Sequence, residues 1–371
     1  MQTKVEVDFS KEDTLVAKGL AILFLLIHHC FLWPERNRRY DIIFSPLSEE
    51  MMKILTSFSH VCVAMFVFLS AFGMTRMAAI FGETLGEKTY MDFIRKRYTK
   101  LIAGFWVIFF PALFLSVLIT PEEVKVYGSG VTAVIYMIVD ALGLSMLFQT
   151  PTLMGTWWYL SFAIVWIVLF PLFMLLYKKM GKALYLIVLI LPYLLGIRTV
   201  MAEYAAGALR ENMFLLLTPA VLGMICAEKR IFEQIRAKIR AYGRWGEVGF
   251  GLLLCIGWVV VVALHNSIVF SFCQEIVVSV EAWYAVLFSY VCIGALPGVR
   301  QVFAVIGRHS MNIFLIHDFI RARFLEDFTY SFRYAPLIIL VLLVESLLCS
   351  VVIEWIKRTI SDRIDRVRRR K

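Results

Sequence analysis

Long polar stretches are what this sequence lacks. Of its 371 residues, 60% are apolar, and the mean hydropathy is +0.77. A soluble domain of this length would not be so apolar throughout, and little polar sequence remains for a large soluble domain beside a membrane part. Cysteine is sparse and unpatterned. The seven cysteines are scattered, mostly through apolar runs, with no C-x-x-C, so neither a zinc site nor a disulfide framework is supported. There is no Walker loop and no G-x-G-x-x-G to hold a nucleotide. No small-residue cleavage site follows the first apolar run, so no removable signal peptide is expected. Internal repeats and low-complexity segments are absent. The net charge of +10 does not indicate a nucleic-acid binder, because most basic residues fall in short loops on one side of the apolar runs, which is a topology signal.

The expected fold class is therefore an all-α polytopic membrane protein, one domain over 1–371. Ten apolar runs read as transmembrane helices: 15–33, 54–74, 101–119, 155–177, 183–197, 212–227, 248–264, 282–296, 311–328 and 335–356. With both termini cytoplasmic, the inner segments carry 27 Lys and Arg, against about 10 on the outer side. One more apolar run, 131–149, would invert everything after it if it spanned, placing the basic segments 228–247 and 357–371 outside. It is expected instead to re-enter or to lie along the outer face, with Asp140 turned to protein or water. The loop 34–53 breaks the charge bias with Arg36, Arg38 and Arg39. Glu35, Asp41, Glu49 and Glu50 offset them in a mixed-charge loop; the alternative is an outer surface for an anionic or polar acceptor. Ile231, Ile235 and Ile239 give 228–247 the spacing of a basic amphipathic helix on the inner membrane surface.

The first run, LVAKGLAILFLLIHHCFLW, contains Lys18, His28 and His29. Ionisable groups inside a span are costly and point to function. At about 100° per residue, Lys18 and His29 lie within roughly 20° on one face, and His28 lies roughly 80° from Lys18. The rise between Lys18 and His29 is about 16 Å, close to half the hydrocarbon thickness. A cation near one surface and an imidazole at mid-depth suit a long anionic molecule with its charged head at the mouth and its reactive end inside. The structural alternative is a snorkelling lysine and a packed histidine.

A basic residue, ten intervening residues and a histidine in the first span resemble the signature of the acyltransferase 3 family of multi-pass membrane acyltransferases, with Lys18 where Arg is usual. Further segments follow in order. FVFLSAFGM, 66–74, resembles the family's FFVLSGF, with Ala71 for Gly; its small residues also suit helix packing. RKRYTK, 95–100, reads by composition as a topogenic or lipid-phosphate anchor. The family has a cytoplasmic Arg-x-x-Arg here, associated with coenzyme A, and Arg97 and Lys100 match that spacing. Trp157, Trp158 and Tyr159 form an interfacial aromatic belt, and resemble the family's Trp-Tyr/Phe-Leu segment. No acid follows them in SFAIVW. Ser310 to His317 resembles the family's late Ser…Tyr-x-x-His pattern, with Phe314 for Tyr. Ser310 is expected to cap its helix, while His317 and Asp318 lie deep in an apolar run and need partners. His309 is expected to be structural, and Glu345 and Glu354 to pair with buried donors.

The resemblance implies an acyltransferase that moves an acyl group, acetyl from acetyl-CoA above all, to a hydroxyl of a cell-surface glycan or its lipid-linked precursor. Lys18, Arg97 and Lys100 would meet the CoA phosphates, and His29 would be the general base, with His28 as its substitute. Ser310, His317, Trp158 and Tyr159 would line the cavity. Membrane lipids are the other partner; no metal and no nucleic acid is expected. The spans show no Cys or Ser motif for another nucleophile. The rival reading is a transporter or flippase with a relay through His29, His317 and Asp318. It would call for matched pairs of Gly/Pro-broken spans in two halves, which are not seen.

Overall fold

The computed structural model describes residues 9–78, 87–194, 208–267 and 273–369, and these are helical without a strand. The main helices are α1 (Lys11–Phe31), α2 (Pro34–Arg39), α3 (Glu49–Phe58), α4 (Val61–Ala78), α5 (Glu87–Ile119), α6 (Gly130–Ala141), α7 (Trp158–Met180), α8 (Ala183–Leu194), α9 (Ala208–Glu228), α10 (Ile231–Ala241), α11 (Gly243–His265), α12 (Gln274–Val291), α13 (Pro297–Arg308), α14 (Ser310–Phe319), α15 (Glu326–Ser331) and α16 (Ala335–Arg369).

Helix α1 is central. It packs on α3, α4, α12, α13, α14 and α16. A capping box starts it: Asp13 N–H donates to Ser10 Oγ at 3.1 Å, and Ser10 N–H donates to Asp13 Oδ2 at 2.9 Å. Arg300 of α13 pairs with Asp13 at 3.1 Å and Glu12 at 3.3 Å. Two glycines bring α1 and α13 together. A Cβ on Gly19 would run into the Phe303 carbonyl, and one on Gly307 into the Leu15 carbonyl. Gly223 of α9 makes the same approach to the Phe68 carbonyl of α4.

Seven helices among the described residues are long and apolar enough to cross a membrane: Lys11–Phe31, Glu49–Met77, Tyr90–Ile119, Gly155–Met180, Gly243–His265, Gln274–Ala295 and Ala335–Arg363. Two of the ten expected spans, 183–197 and 311–328, lack a single long helix among the described residues. In 183–197, α8 covers twelve residues and 195–197 lie outside the described residues. The run 212–227 lies within the 21-residue α9, whose stretch Leu215–Glu228 is apolar. The run 311–328 is not one helix: α14 ends at Phe319, a π turn covers Ile320–Phe324, and α15 follows. Asp318 and Arg321 lie at that break, buried and paired. The eighth span begins earlier than expected, because the acids Glu275 and Glu281 are buried inside α12 rather than bounding it. Helix α13, expected as part of an inner connecting segment, is amphipathic and lies along α1.

Run 131–149 does not form one helix long enough to span: α6 has twelve residues, about 18 Å, and a turn at Gly143 (φ 70°) follows. Asp140 faces protein, accepting from Tyr127 Oη at 2.5 Å and Leu153 N at 2.8 Å. Burial raises its carboxyl above the usual range, and those donors pull it back. Two arginines of 34–53 are met by distant acids, Arg36 Nε 3.0 Å from Glu326 and Arg39 3.5 Å from Asp327, and Arg38 by the local Glu35 at 3.7 Å. Helix α10 docks through Phe232 against Phe9 at 5.1 Å, and its Glu233 pairs with Arg76.

Candidate active site

The near end of α1, by its N-terminus, holds three cations. Lys18 is half-buried and lies within electrostatic reach of Arg97 and Lys100 in the first half of α5. The Arg97 guanidinium lies 5.6 Å over the Phe93 ring and meets Met77 Sδ at 3.2 Å. No carboxylate among the described residues pairs with Lys18, Arg97 or Lys100. Three facing positive charges without a counter-ion repel one another and favour a bound anion.

The far end of α1 holds the histidines. His28 and His29 project in different directions, as helical geometry requires. His28 Nδ1 lies 2.9 Å from the Thr56 carbonyl of α3, so that nitrogen carries the proton. His29 turns to α14, where its ring centroid lies 4.9 Å from that of His317. Its ring nitrogens have no hydrogen-bond partner among the described residues. His60, which the sequence reading passed over, lies 5.3 Å from His28.

His317 is fully buried. Its Nδ1 lies 2.8 Å from the Phe314 carbonyl and 3.1 Å from that of Ile313, so Nδ1–H donates and Nε2 carries the lone pair. That Nε2 is buried without a hydrogen-bond partner, 3.8 Å from Asp318 Oδ1. Arg321 holds the same Oδ1 through Nε at 3.0 Å and Nη2 at 2.5 Å. His29, His317 and Asp318 each offer a ligand atom within 4.8 Å of the others, a donor set of the zinc or iron type. The Arg321 charge on Asp318 opposes a second cation there.

Arg321 was legible only as i,i+3 spacing from Asp318. Breaking this buried pair is expected to be costly. Arg321→Met should destabilise by about 3–5 kcal/mol, and Asp318→Leu combined with Arg321→Met should recover most of it, because one orphaned buried charge costs more than none. Thermal unfolding of the purified single and double variants measures this.

Tyr159 packs 5.3 Å from Phe314, whose ring is 6.3 Å from His317, so it reaches the histidines through one ring. Trp158 stands one ring further out, 6.1 Å from Tyr159. Trp157 has the larger structural role: it is 2% exposed, donates Nε1–H to the Leu315 carbonyl at 3.0 Å, and locks α7 to α14. Ser310 is buried in the first turn of α14, two turns from His317. It is not the N-cap; His309 is, because a single residue separates α13 from α14. His309 Nδ1 lies 2.8 Å from Ser350 Oγ, and Asn312 donates to Glu354 at 2.9 Å, tying α14 to α16. Glu345 accepts from Thr329 Oγ1 at 3.0 Å.

The described residues form an all-helical bundle with a basic cluster and an unpaired imidazole spaced along its central helix. The family model described as "Acyltransferase domain", that of the acyltransferase 3 family, matches residues 16–355, nearly the whole chain. The chain belongs to this family. No curated protein and no solved structure matches it.

Proposed function

We propose that the protein transfers an acyl group, acetyl in the first instance, from acyl-CoA on the cytoplasmic side to a hydroxyl of a cell-surface glycan or its lipid-linked precursor. The observation that carries this reading is the cluster of Lys18, Arg97 and Lys100, without a carboxylate partner, about 16 Å along α1 from the open imidazole of His29. The positive-inside bias puts that cluster on the cytoplasmic side of the cell membrane. The CoA phosphates sit on the three cations, with Arg97 offering a planar fork and the lysines point charges. The pantetheine arm runs along α1 and delivers the thioester carbonyl to the far end.

There the neutral His29 ring takes the proton of the acceptor hydroxyl as its oxygen attacks the thioester carbon. The tetrahedral adduct collapses, the C–S bond breaks, and the protonated ring returns the proton to the departing thiolate. Asp318 and the lone pair of His317 Nε2 face the imidazolium while it exists. Burial of His317 and the Asp318–Arg321 pair keeps that wall rigid. Ser310 and His317 line the cavity, and Tyr159 with Trp158 offers aromatic faces for a sugar ring at the outer opening. His28 is held by Thr56 and takes over the proton only if α1 distorts.

The test is a CoA-dependent thermal shift on the purified protein. Acetyl-CoA at 100 times its Kd should stabilise by about 2.7 kcal/mol. The shift should vanish in Arg97→Glu and shrink with a donor lacking the 3′-phosphate. No shift with acetyl-CoA or a long-chain acyl-CoA at millimolar concentration would remove the donor assignment. In turnover assays, Lys100→Ala should raise the KM for the donor several-fold and leave kcat nearly unchanged, since it acts on binding at a distance from the reacting atoms.

A further inference from the structure

The same far end contains an arrangement that the mechanism above does not use. Ser57 lies in the last turn of α3, His265 is the last residue of α11, and Glu281 lies two turns into α12. Ser57 Oγ is 3.2 Å from His265 Nε2, and His265 Nδ1 is 2.9 Å from Glu281 Oε1. A carboxylate accepts, so Nδ1 carries the proton and Nε2 presents its lone pair to the serine O–H. That is the order of contacts in which an acid orients an imidazole and the imidazole activates a hydroxyl.

Burial runs the same way. Glu281 is 1% exposed and His265 8%, while Ser57 is exposed. The base and its acid are fixed inside the protein and the serine lies at its surface. Glu281 makes no other polar contact among the described residues, and its Oε2 is buried without a hydrogen-bond partner, so the acid is dedicated to His265. The His265 ring rests on Phe58, at 5.6 Å and 76°.

The serine is unusual in its own helical context. Helical hydroxyls often bond back to the carbonyl four residues earlier. Ser59 does this to Leu55, Thr75 to Ala71, Thr99 to Arg95 and Ser279 to Glu275. Ser57, two residues from Ser59, bonds to the imidazole instead. No sequence motif announces it, because the three residues come from three helices and Ser57 and His265 are 208 positions apart.

We infer that Ser57, His265 and Glu281 form a second acyl-handling centre, with Ser57 as a nucleophile toward acyl esters and thioesters. Ser57 Oγ attacks the acyl carbonyl while His265 Nε2 takes its proton. The leaving alkoxide or thiolate departs with that proton, and the acyl group remains as an ester on Ser57. A hydroxyl, from water or a carbohydrate, then attacks this ester. His265 takes its proton and returns it to Ser57 Oγ as the acyl–serine bond breaks. The centre sits beside the proposed transfer site, since His28 bonds the carbonyl of Thr56, the residue before the nucleophile. Its chemistry does not depend on the CoA site.

The experiment uses the full-length protein in detergent with a fluorophosphonate probe, which reacts with serines activated by a neighbouring base. Peptide mass spectrometry should place one adduct on Ser57. Labelling should disappear in Ser57→Ala and fall at least about 10²-fold in rate in His265→Gln. With p-nitrophenyl acetate and with acetyl-CoA as separate acyl sources, wild type should show an acyl adduct on Ser57, and Ser57→Ala none. Ser57 is exposed, so Ser57→Ala should keep its melting temperature and its shift with acetyl-CoA, which separates loss of chemistry from loss of fold. Labelling should also survive His29→Ala, so this proposal and the CoA reading fail independently. If wild type remains unlabelled at Ser57 while a control serine hydrolase in the same tube reacts, the proposal is wrong. Equal labelling of wild type and a folded His265→Gln variant would also overturn it.

Discussion

His29→Ala is expected to reduce acyl transfer by roughly 10³-fold, within the 10²–10⁴-fold typical of losing a positioned general base. The variant should fold and should still bind acyl-CoA, because His29 makes no hydrogen bond within the protein among the described residues and lies about 16 Å from the phosphate-binding cations. His28→Ala is the informative neighbour. Its ring is held by the Thr56 carbonyl and turned to α3 and His60. Removing it should cost activity only a few-fold, through loosened packing around His29 at 5.1 Å. A single-turnover assay with labelled acetyl-CoA separates the two. If His28→Ala abolishes transfer while His29→Ala retains it, the wrong face of α1 has been assigned to the chemistry.

Gly307→Leu should have the other large effect, on folding. At this position a Cβ meets the backbone carbonyl of Leu15, which cannot swing aside as a side chain can. Overpacking a core usually costs about 1–3 kcal/mol, and this site should exceed that because α13 must separate from α1 along its length. The expected result is little or no monodisperse protein in detergent. Gly73→Ala is the control: a Cβ there meets nothing within 4 Å, and helix propensity favours Ala by up to about 1 kcal/mol. Comparable yields of the two variants would mean that the α1–α13 contact is not what holds Lys18 in place.

Helix α1 was almost fully legible in the sequence. Its apolar run, the Lys18–His29 face and the divergence of His28 all follow from 3.6-residue periodicity, which needs no tertiary information. Run 131–149 was expected not to cross for a different reason, the charge placed on either side of it, and its helix is too short to cross by itself. Hydropathy failed where polar residues are satisfied inside the protein. The run 282–296 was expected to begin after Glu275 and Glu281, which are buried within α12. The run 311–328 looked continuous, but it breaks into a π turn where Asp318 and Arg321 pair. Helix α13 escaped notice because half its surface faces away from the core, so its average resembles a loop. At the site, His29 and His317 were marked by their cost inside apolar runs. The tautomer of His317, the lock made by Trp157 and the alignment of Ser57 with His265 depend on contacts between helices far apart in sequence, which spacing within one helix does not encode.

The most direct measurement is transfer from labelled acetyl-CoA in sealed membrane vesicles of both orientations, supplied with a native glycan extract. The expectation is label in an acceptor when CoA reaches the cytoplasmic face, in inside-out vesicles, and none in right-side-out vesicles or with Arg97→Glu. Inside-out vesicles that bind no acyl-CoA and transfer neither acetyl nor a longer acyl chain would contradict it.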